Sequence, residues 1–229
     1  MKFFLDSAIT DEIATALETW AIDGITTNPR HVQVSGKPFL TVVSEIAELV
    51  KDYRSVTVSV QTNPHSHNDY AAILAEGRRF AAMSDQFVIK MPCTEDGFRA
   101  CKILSEEGIR SNLTLCFSSV QALQAMRMGA FYVSPFIGWK ETNGEETRTF
   151  IEECVAIRDN YAFNTGILVA AVRNGRQIVD AAVTGADIVT AGFAVYQEAF
   201  THPYTDMGLG KFQEFWDKTV YSETEHVQG

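Results

Sequence analysis

Eight short apolar, strand-like runs alternate with amphipathic helical stretches along 229 residues, and that alternation predicts a single (β/α)8 barrel over residues 1–229. The size agrees, because 46% hydrophobic residues in a chain of this length suit one large domain with a substantial core. A doubly wound open sheet would also read as alternating β and α. No Gly-x-Gly-x-x-Gly follows an early strand, which weakens that reading. The chain shows no linker, low-complexity segment or repeat beyond the β/α alternation.

In chain order, the first strand is expected over 3–7, and Thr10-Asp11-Glu12 signals the start of a helix over 11–20. The second strand, 24–28, precedes a helix over 38–53, and the third, 56–62, one over 68–83. The fourth strand, 87–92, is followed by a helix over 95–107 with Gly108 at its C-cap. The fifth, 111–117, leads through Ser118-Ser119 into a helix over 119–128, which Gly129 ends. The sixth, 131–138, and seventh, 166–172, flank a helix over 145–160. A helix over 176–184, ended by Gly185, leads to the eighth strand, 188–193. An extra amphipathic helix, about 206–220, carries Phe212, Phe215 and Trp216. It lies beyond the eighth unit, so its stripe needs another surface, either a neighbouring subunit or its own barrel.

A formal net charge of -10 argues against a nucleic-acid partner. No apolar stretch is long enough to span a membrane. Met1-Lys2-Phe3-Phe4-Leu5-Asp6 lacks the pattern of a secretory signal. The four cysteines, Cys93, Cys101, Cys116 and Cys154, show no metal-ligand spacing. They read as reduced thiols in a cytoplasmic protein. Cys93 lies close to Lys90 and could line a site, but no histidine or helix start activates it. His65-Ser66-His67 has no suitably spaced third ligand, so no metal is expected.

Lys90 stands out in Gln86-Phe87-Val88-Ile89-Lys90-Met91-Pro92, an otherwise buried strand. An unpaired ammonium there costs on the order of several kcal/mol. Desolvation favours the free amine, and a neutral amine in an apolar cleft attacks carbonyl carbons. A lysine snorkelling from a strand end is the plainer reading. The other strand ends are also polar: Asp6; Thr26, Thr27 and Asn28; Gln61 and Thr62; Asn112 and Thr114; Ser134. Chemistry in a barrel gathers at the C-terminal ends of strands. Pointing inward together, these groups could orient a polyhydroxyketone and shuttle its protons.

Leu5-Asp6-Ser7-Ala8, Asp23-Gly24-Ile25-Thr26-Thr27-Asn28-Pro29, Val88-Ile89-Lys90-Met91-Pro92, Asn112-Leu113-Thr114-Leu115 and Val133-Ser134-Pro135-Phe136 occur in that order. Together they resemble the small-subunit transaldolase and fructose-6-phosphate aldolase family over nearly the whole chain. The resemblance implies a Schiff-base mechanism with no metal or cofactor. It also implies homo-oligomers, pentamers or decamers, in which the C-terminal helix packs on a neighbour. Lys90 would form the imine with the ketose C2, and Asp6 would take the C4 hydroxyl proton. Asn28 and Asn112 would hold substrate hydroxyls, Thr114 would position the catalytic water, and Ser134 would bind near C1. Thr26 and Phe136 would complete the substrate pocket.

Three positions depart from the pattern. Gln61 stands where the family's transaldolases usually have glutamate and its aldolases glutamine. Glutamine can orient a water but cannot take its proton. Phe136 is transaldolase-like where the aldolases carry tyrosine, so transfer and plain cleavage both stay open. At the anion site, Trp139 replaces an arginine and Ala171 a serine, while Arg173 remains. Arg30 and His31, on the loop after Asn28-Pro29, stand where phosphate-using relatives carry small or apolar residues. These changes resemble the branch that cleaves 6-deoxy-6-sulfofructose to sulfolactaldehyde and passes dihydroxyacetone to an aldehyde acceptor. Arg173, Trp139, Arg30 and His31 would then face a sulfonate. The alternatives are an aldolase on the same ketose, a fructose 6-phosphate transaldolase and a non-catalytic sugar-phosphate-binding barrel.

Overall fold

The computed structural model describes residues 1–219. Eight parallel strands close into a barrel in chain order: β1 (Lys2–Asp6), β2 (Gly24–Thr26), β3 (Thr57–Gln61), β4 (Phe87–Pro92), β5 (Ser111–Cys116), β6 (Tyr132–Pro135), β7 (Gly166–Val172) and β8 (Ile188–Ala191). β8 pairs with β1, with Phe3 opposite Val189 and Leu5 opposite Ala191, which completes the ring. The helices are α1 (Thr10–Thr19), α2 (Pro29–Ser35), α3 (Phe39–Val50), α4 (Tyr70–Ala81), α5 (Glu95–Glu106), α6 (Ser119–Arg127), α7 (Ile137–Thr142), α8 (Arg148–Asn160), α9 (Gly175–Val183), α10 (Phe193–Ala199) and α11 (Pro203–Trp216). This is the (β/α)8 barrel with an additional C-terminal helix that the alternation predicts. No helix among the described residues is long and apolar enough to cross a membrane.

Strand side chains alternate between two faces, and both faces are buried. Leu5, Ile25, Val58, Ile89, Leu113 and Val189 point outward and join the helices in one continuous core. Phe4, Val88, Tyr132, Leu168, Ala170 and Ile188 form a second cluster that fills the barrel. Phe4 and Tyr132 meet edge to face at 5.8 Å. Neighbouring strands yield space for these rings. A Cβ on Gly24 would lie 2.4 Å from the Phe4 ring, and one on Gly166 would lie 3.0 Å from Tyr132.

Two residues further along the same strands the inward position turns polar. Asp6 follows Phe4, Thr26 follows Gly24, Lys90 follows Val88, Ser134 follows Tyr132 and Thr190 follows Ile188. The strand period therefore carries an apolar floor up to a polar mouth. Register shifts in β5 between Leu113 and Cys116, and in β7 between Val169 and Val172, bend this rim. Leu115 (φ 58) and Ala171 (φ 61) hold left-handed backbone at these two irregularities.

The observed elements differ from the sequence expectations at several ends. Arg30 and His31 belong to α2, not to a loop. Asn28 caps this helix by accepting from His31 N–H, Pro29 opens it, and Gly36 closes it at φ 69. The sixth strand ends at Pro135 because α7 claims the residues from Ile137. The helix expected from 145 starts at Arg148, where the Glu146 carboxylate accepts from the backbone N–H of Arg148 and Thr149. The extra helix starts earlier than expected, at Pro203, with His202 Nδ1 accepting from Tyr204 N–H at 3.1 Å. Its expected end at 220 lies outside the described residues.

Candidate active site

Strand register sets the centre of the mouth. Gln61 on β3 pairs with Lys90 on β4, and Lys90 pairs with Asn112 on β5. Lys90 is 4% exposed, and its Nζ donates to the Thr27 carbonyl at 3.0 Å. Burial pushes the Lys90 ammonium below its ordinary pKa, opposed by the charge of Asp6. Burial would raise the Asp6 carboxyl, but a hydrogen bond from His31, the charge of Lys90 and a hydrogen bond from Thr26 hold it below the usual range. The site thus pairs an amine biased toward neutrality with a carboxylate biased toward ionisation.

Two hydrogen-bond chains fix the walls. Thr26 Oγ1 donates to Asp6 Oδ1 at 2.7 Å and lies 2.7 Å from Thr190 Oγ1. A hydroxyl has one proton, so Thr190 must be the donor to Thr26. Across the mouth, Ser134 Oγ donates to Asn112 Oδ1 at 2.8 Å, and Asn112 Nδ2 donates to Ser59 Oγ at 3.0 Å. That orients the Asn112 amide. Thr114 Oγ1 is buried with no hydrogen-bond partner among the described residues. A buried hydroxyl of this kind suits a water or a substrate oxygen. Gln61 is 8% exposed beside the lysine.

The rim divides. Phe117, Phe136 and Trp139 form an aromatic wall on the β5–β6 side. Phe117 and Trp139 stack at 5.8 Å, and Phe136 lies 5.7 Å from Phe117. Trp139 is 52% exposed on α7. Arg173, after β7, donates from Nη1 to Thr142 Oγ1 at the end of the same helix, at 2.7 Å. Trp139 and Arg173 therefore flank one short helix. Arg30 stands exposed on α2, after β2, on the opposite side of the ring of strands. His31 turns toward Asp6, with Nε2 3.1 Å from Oδ2. Asn28 engages its Oδ1 as the α2 cap, so only its amide N–H groups remain for a ligand.

The Thr27 carbonyl as the lysine's acceptor, and Ser59, Thr190 and Phe117, are not among the residues the sequence points to. Ser59 precedes Gln61 by two residues and Thr190 follows Ile188 by two, so the inward alternation could have found both. Phe117 carried no such signal. Cys93 is unsuited to nucleophilic work, because a hydrogen bond with the Cys116 thiol and burial both push its pKa up. His67 Nδ1 lies 3.0 Å from the Pro64 carbonyl in a short turn.

A buried amine, a carboxylate, amides and hydroxyls converging on one opening can capture a ketone, move a hydroxyl proton and hold a polyol chain. Two relatives named 6-deoxy-6-sulfo-D-fructose transaldolase, from Priestia aryabhattai and Priestia megaterium (strain ATCC 12872 / QMB1551), are each 55% identical over 220 residues. Each alignment covers 96% of this chain and 97% of the relative. A probable transaldolase from Caulobacter sp. (strain K31) is 44% identical, over 97% of this chain and 99% of that protein. A thiamine phosphate pyrophosphorylase from Pyrococcus furiosus superposes with TM-score 0.59 at 13% identity, over 86% of this chain and 93% of that one, and shows the barrel fold alone. The profile described as Transaldolase/Fructose-6-phosphate aldolase matches residues 3–227, and the chain belongs to that family.

Proposed function

We propose that this family member is a Schiff-base transaldolase that cleaves 6-deoxy-6-sulfofructose and transfers dihydroxyacetone to an aldehyde acceptor. The observation that carries the mechanism is Lys90: a buried amine at the barrel mouth, pushed toward neutrality, with an ionised carboxylate among its charged neighbours. Lys90 Nζ attacks the ketose C2, and loss of water gives the imine. Asp6 accepts the C4 hydroxyl proton while the C3–C4 electron pair moves toward the iminium, leaving an enamine and releasing the aldehyde. The acceptor aldehyde then takes the enamine carbon, and Asp6 returns the proton to the new hydroxyl. Hydrolysis frees the product. Thr114 Oγ1 holds the water of the dehydration and hydrolysis steps. Asn112, Ser134 and the Asn28 amide hold the ketose hydroxyls.

The sulfonate substrate is supported by the names of the two 55% identical relatives and by the makeup of the rim. Beyond its bond to Thr142, Arg173 has further N–H groups with no partner among the described residues, and the Trp139 indole adds one donor from α7. A singly charged sulfonate needs fewer strong donors than a phosphate. Arg30 serves the far end of a longer substrate or the acceptor's anion. Thr26 acts through Asp6, and Phe136 forms the apolar wall.

Gln61 favours a second reading, an aldolase that releases free dihydroxyacetone, because an amide cannot accept a water's proton. Mass spectrometry of products from 6-deoxy-6-sulfofructose and fructose 6-phosphate, with and without glyceraldehyde 3-phosphate, separates the readings. Sulfolactaldehyde that depends on acceptor supports the transaldolase. Acceptor-independent sulfolactaldehyde and dihydroxyacetone would make it an aldolase. Preference for fructose 6-phosphate would sink the sulfonate assignment.

The working unit we propose is a homo-oligomer in a reducing, cytoplasmic setting. α11 buries none of its residues within one chain. Tyr204, Met207, Leu209, Phe212 and Phe215 are each more than half exposed on it, which suits burial against a second copy.

A further inference from the structure

We propose that His31 is the positioning residue for Asp6, holding Oδ2 so that the carboxylate faces the substrate hydroxyl. The inference rests on the Schiff-base reading above and assigns His31 to proton transfer, not to the anion tail. Its placement follows from the local fold. Asn28 Oδ1 accepts the His31 N–H at 3.1 Å, and Pro29 fixes the backbone between them, so the first turn of α2 has little freedom. From that turn the imidazole Nε2 reaches Asp6 Oδ2 at 3.1 Å. The two side chains are 24% and 21% exposed, so water competes only partly for the bond.

Facing an ionised carboxylate, Nε2 carries the proton and donates it. Thr26 donates to the other oxygen at 2.7 Å. The carboxylate is thus held at both ends, and each oxygen keeps a lone-pair direction for the substrate. Lys90 on β4 and Tyr196 on α10 are the other titratable groups that sense Asp6. Burial and the nearby charges of Asp23 and Asp6 push the Tyr196 phenol up, so it stays neutral through the working range. Without the Nε2 donor, Asp6 would protonate more easily and its Oδ2 would no longer be held toward the C4 hydroxyl, so the acid limb of the pH–rate profile would move to higher pH.

Two variants test this, His31→Leu and His31→Gln. Glutamine restores an N–H donor near the Nε2 position. Steady-state kinetics with 6-deoxy-6-sulfofructose and glyceraldehyde 3-phosphate are measured at neutral pH and down the acid limb of the pH–rate profile, beside borohydride trapping with dihydroxyacetone. His31→Leu is expected to lower kcat on the order of 10²-fold with KM for the ketose nearly unchanged. His31→Leu should move the acid limb of the profile to higher pH, and His31→Gln is expected to regain most of the lost rate and to bring that limb back toward the parent's. Both variants should trap dihydroxyacetone like the parent. A raised KM with kcat intact would overturn the proposal and make His31 an anion donor. An unmoved acid limb in His31→Leu, or no recovery of rate in His31→Gln, would also overturn it. Absence of trapping in the parent itself would be a failure of the Schiff-base reading, a different result.

Discussion

Thr26→Val removes one hydroxyl and almost no volume, and it should cost more than its size suggests. Thr26 Oγ1 donates to Asp6 Oδ1 at 2.7 Å and receives from Thr190 at 2.7 Å, and both threonines are buried. A hydrogen bond to a charged group contributes about 1.5–3 kcal/mol, and a buried donor left unpaired costs about 1–3 kcal/mol. The two effects arise from loss of the same hydroxyl and overlap, so about 2–4 kcal/mol is expected at pH 7. The pH dependence has a definite sign. The folded-state pKa of Asp6 lies below its ordinary 3.8, so its contribution is present above that value and is lost as pH falls through the lower, folded one. Thr26→Val should therefore differ most from the parent at neutral pH and less in acid. Urea unfolding at pH 7 and near pH 3.5 reads both values. The acid limb of the pH–rate profile should move to higher pH, because an Asp6 with one donor fewer protonates more easily. Equal urea midpoints at pH 7, with an unmoved acid limb, would refute the reasoning.

Three further outcomes are expected. Gly138→Ala should lose substrate binding and stability together, since the added Cβ would lie 2.1 Å from the Ala171 carbonyl oxygen and 3.0 Å from Arg173 Nε, and the backbone cannot yield cheaply; substrate titration and thermal unfolding read it. Phe212→Asp, on a side chain 70% exposed, should lower the sedimenting mass by breaking an α11 interface while leaving the barrel's circular dichroism unchanged. Gln61→Glu should raise transfer to acceptor if proton acceptance beside Lys90 limits the rate, and an unchanged or lower rate would assign that work to another group.

All eight strands were legible because inward and outward faces are both buried, so each reads as a short apolar run bounded by turn residues. The polar mouth was legible for the same reason: Asp6, Thr26, Lys90 and Ser134 interrupt those runs at inward positions. The short rim helices were not. α2 and α7 have seven and six residues, too few for a periodic stripe. In α2 the cap pair Asn28-Pro29 and the left-handed Gly36 were the available signal. Overlooking them placed His31 on a loop, where nothing aims it at Asp6. The bonds Thr26–Thr190 and Asn112–Ser59 join residues 164 and 53 positions apart; closure of β8 onto β1 brings the first pair together, and pairing of β3 and β5 on either side of β4 the second. The stack of Trp139 on Phe117 likewise depends on tertiary pairing, because β5 and β6 must be adjacent before those rings can meet.

The central claim is that Lys90 captures the ketose as an imine. Its most direct test is borohydride reduction with dihydroxyacetone, followed by intact-protein mass and peptide mapping of the parent and of Lys90→Met. One reduced dihydroxyacetone per chain is expected, carried by the peptide containing Lys90, and none in the variant, which still folds. An unmodified parent, or the same adduct on another lysine, would contradict it.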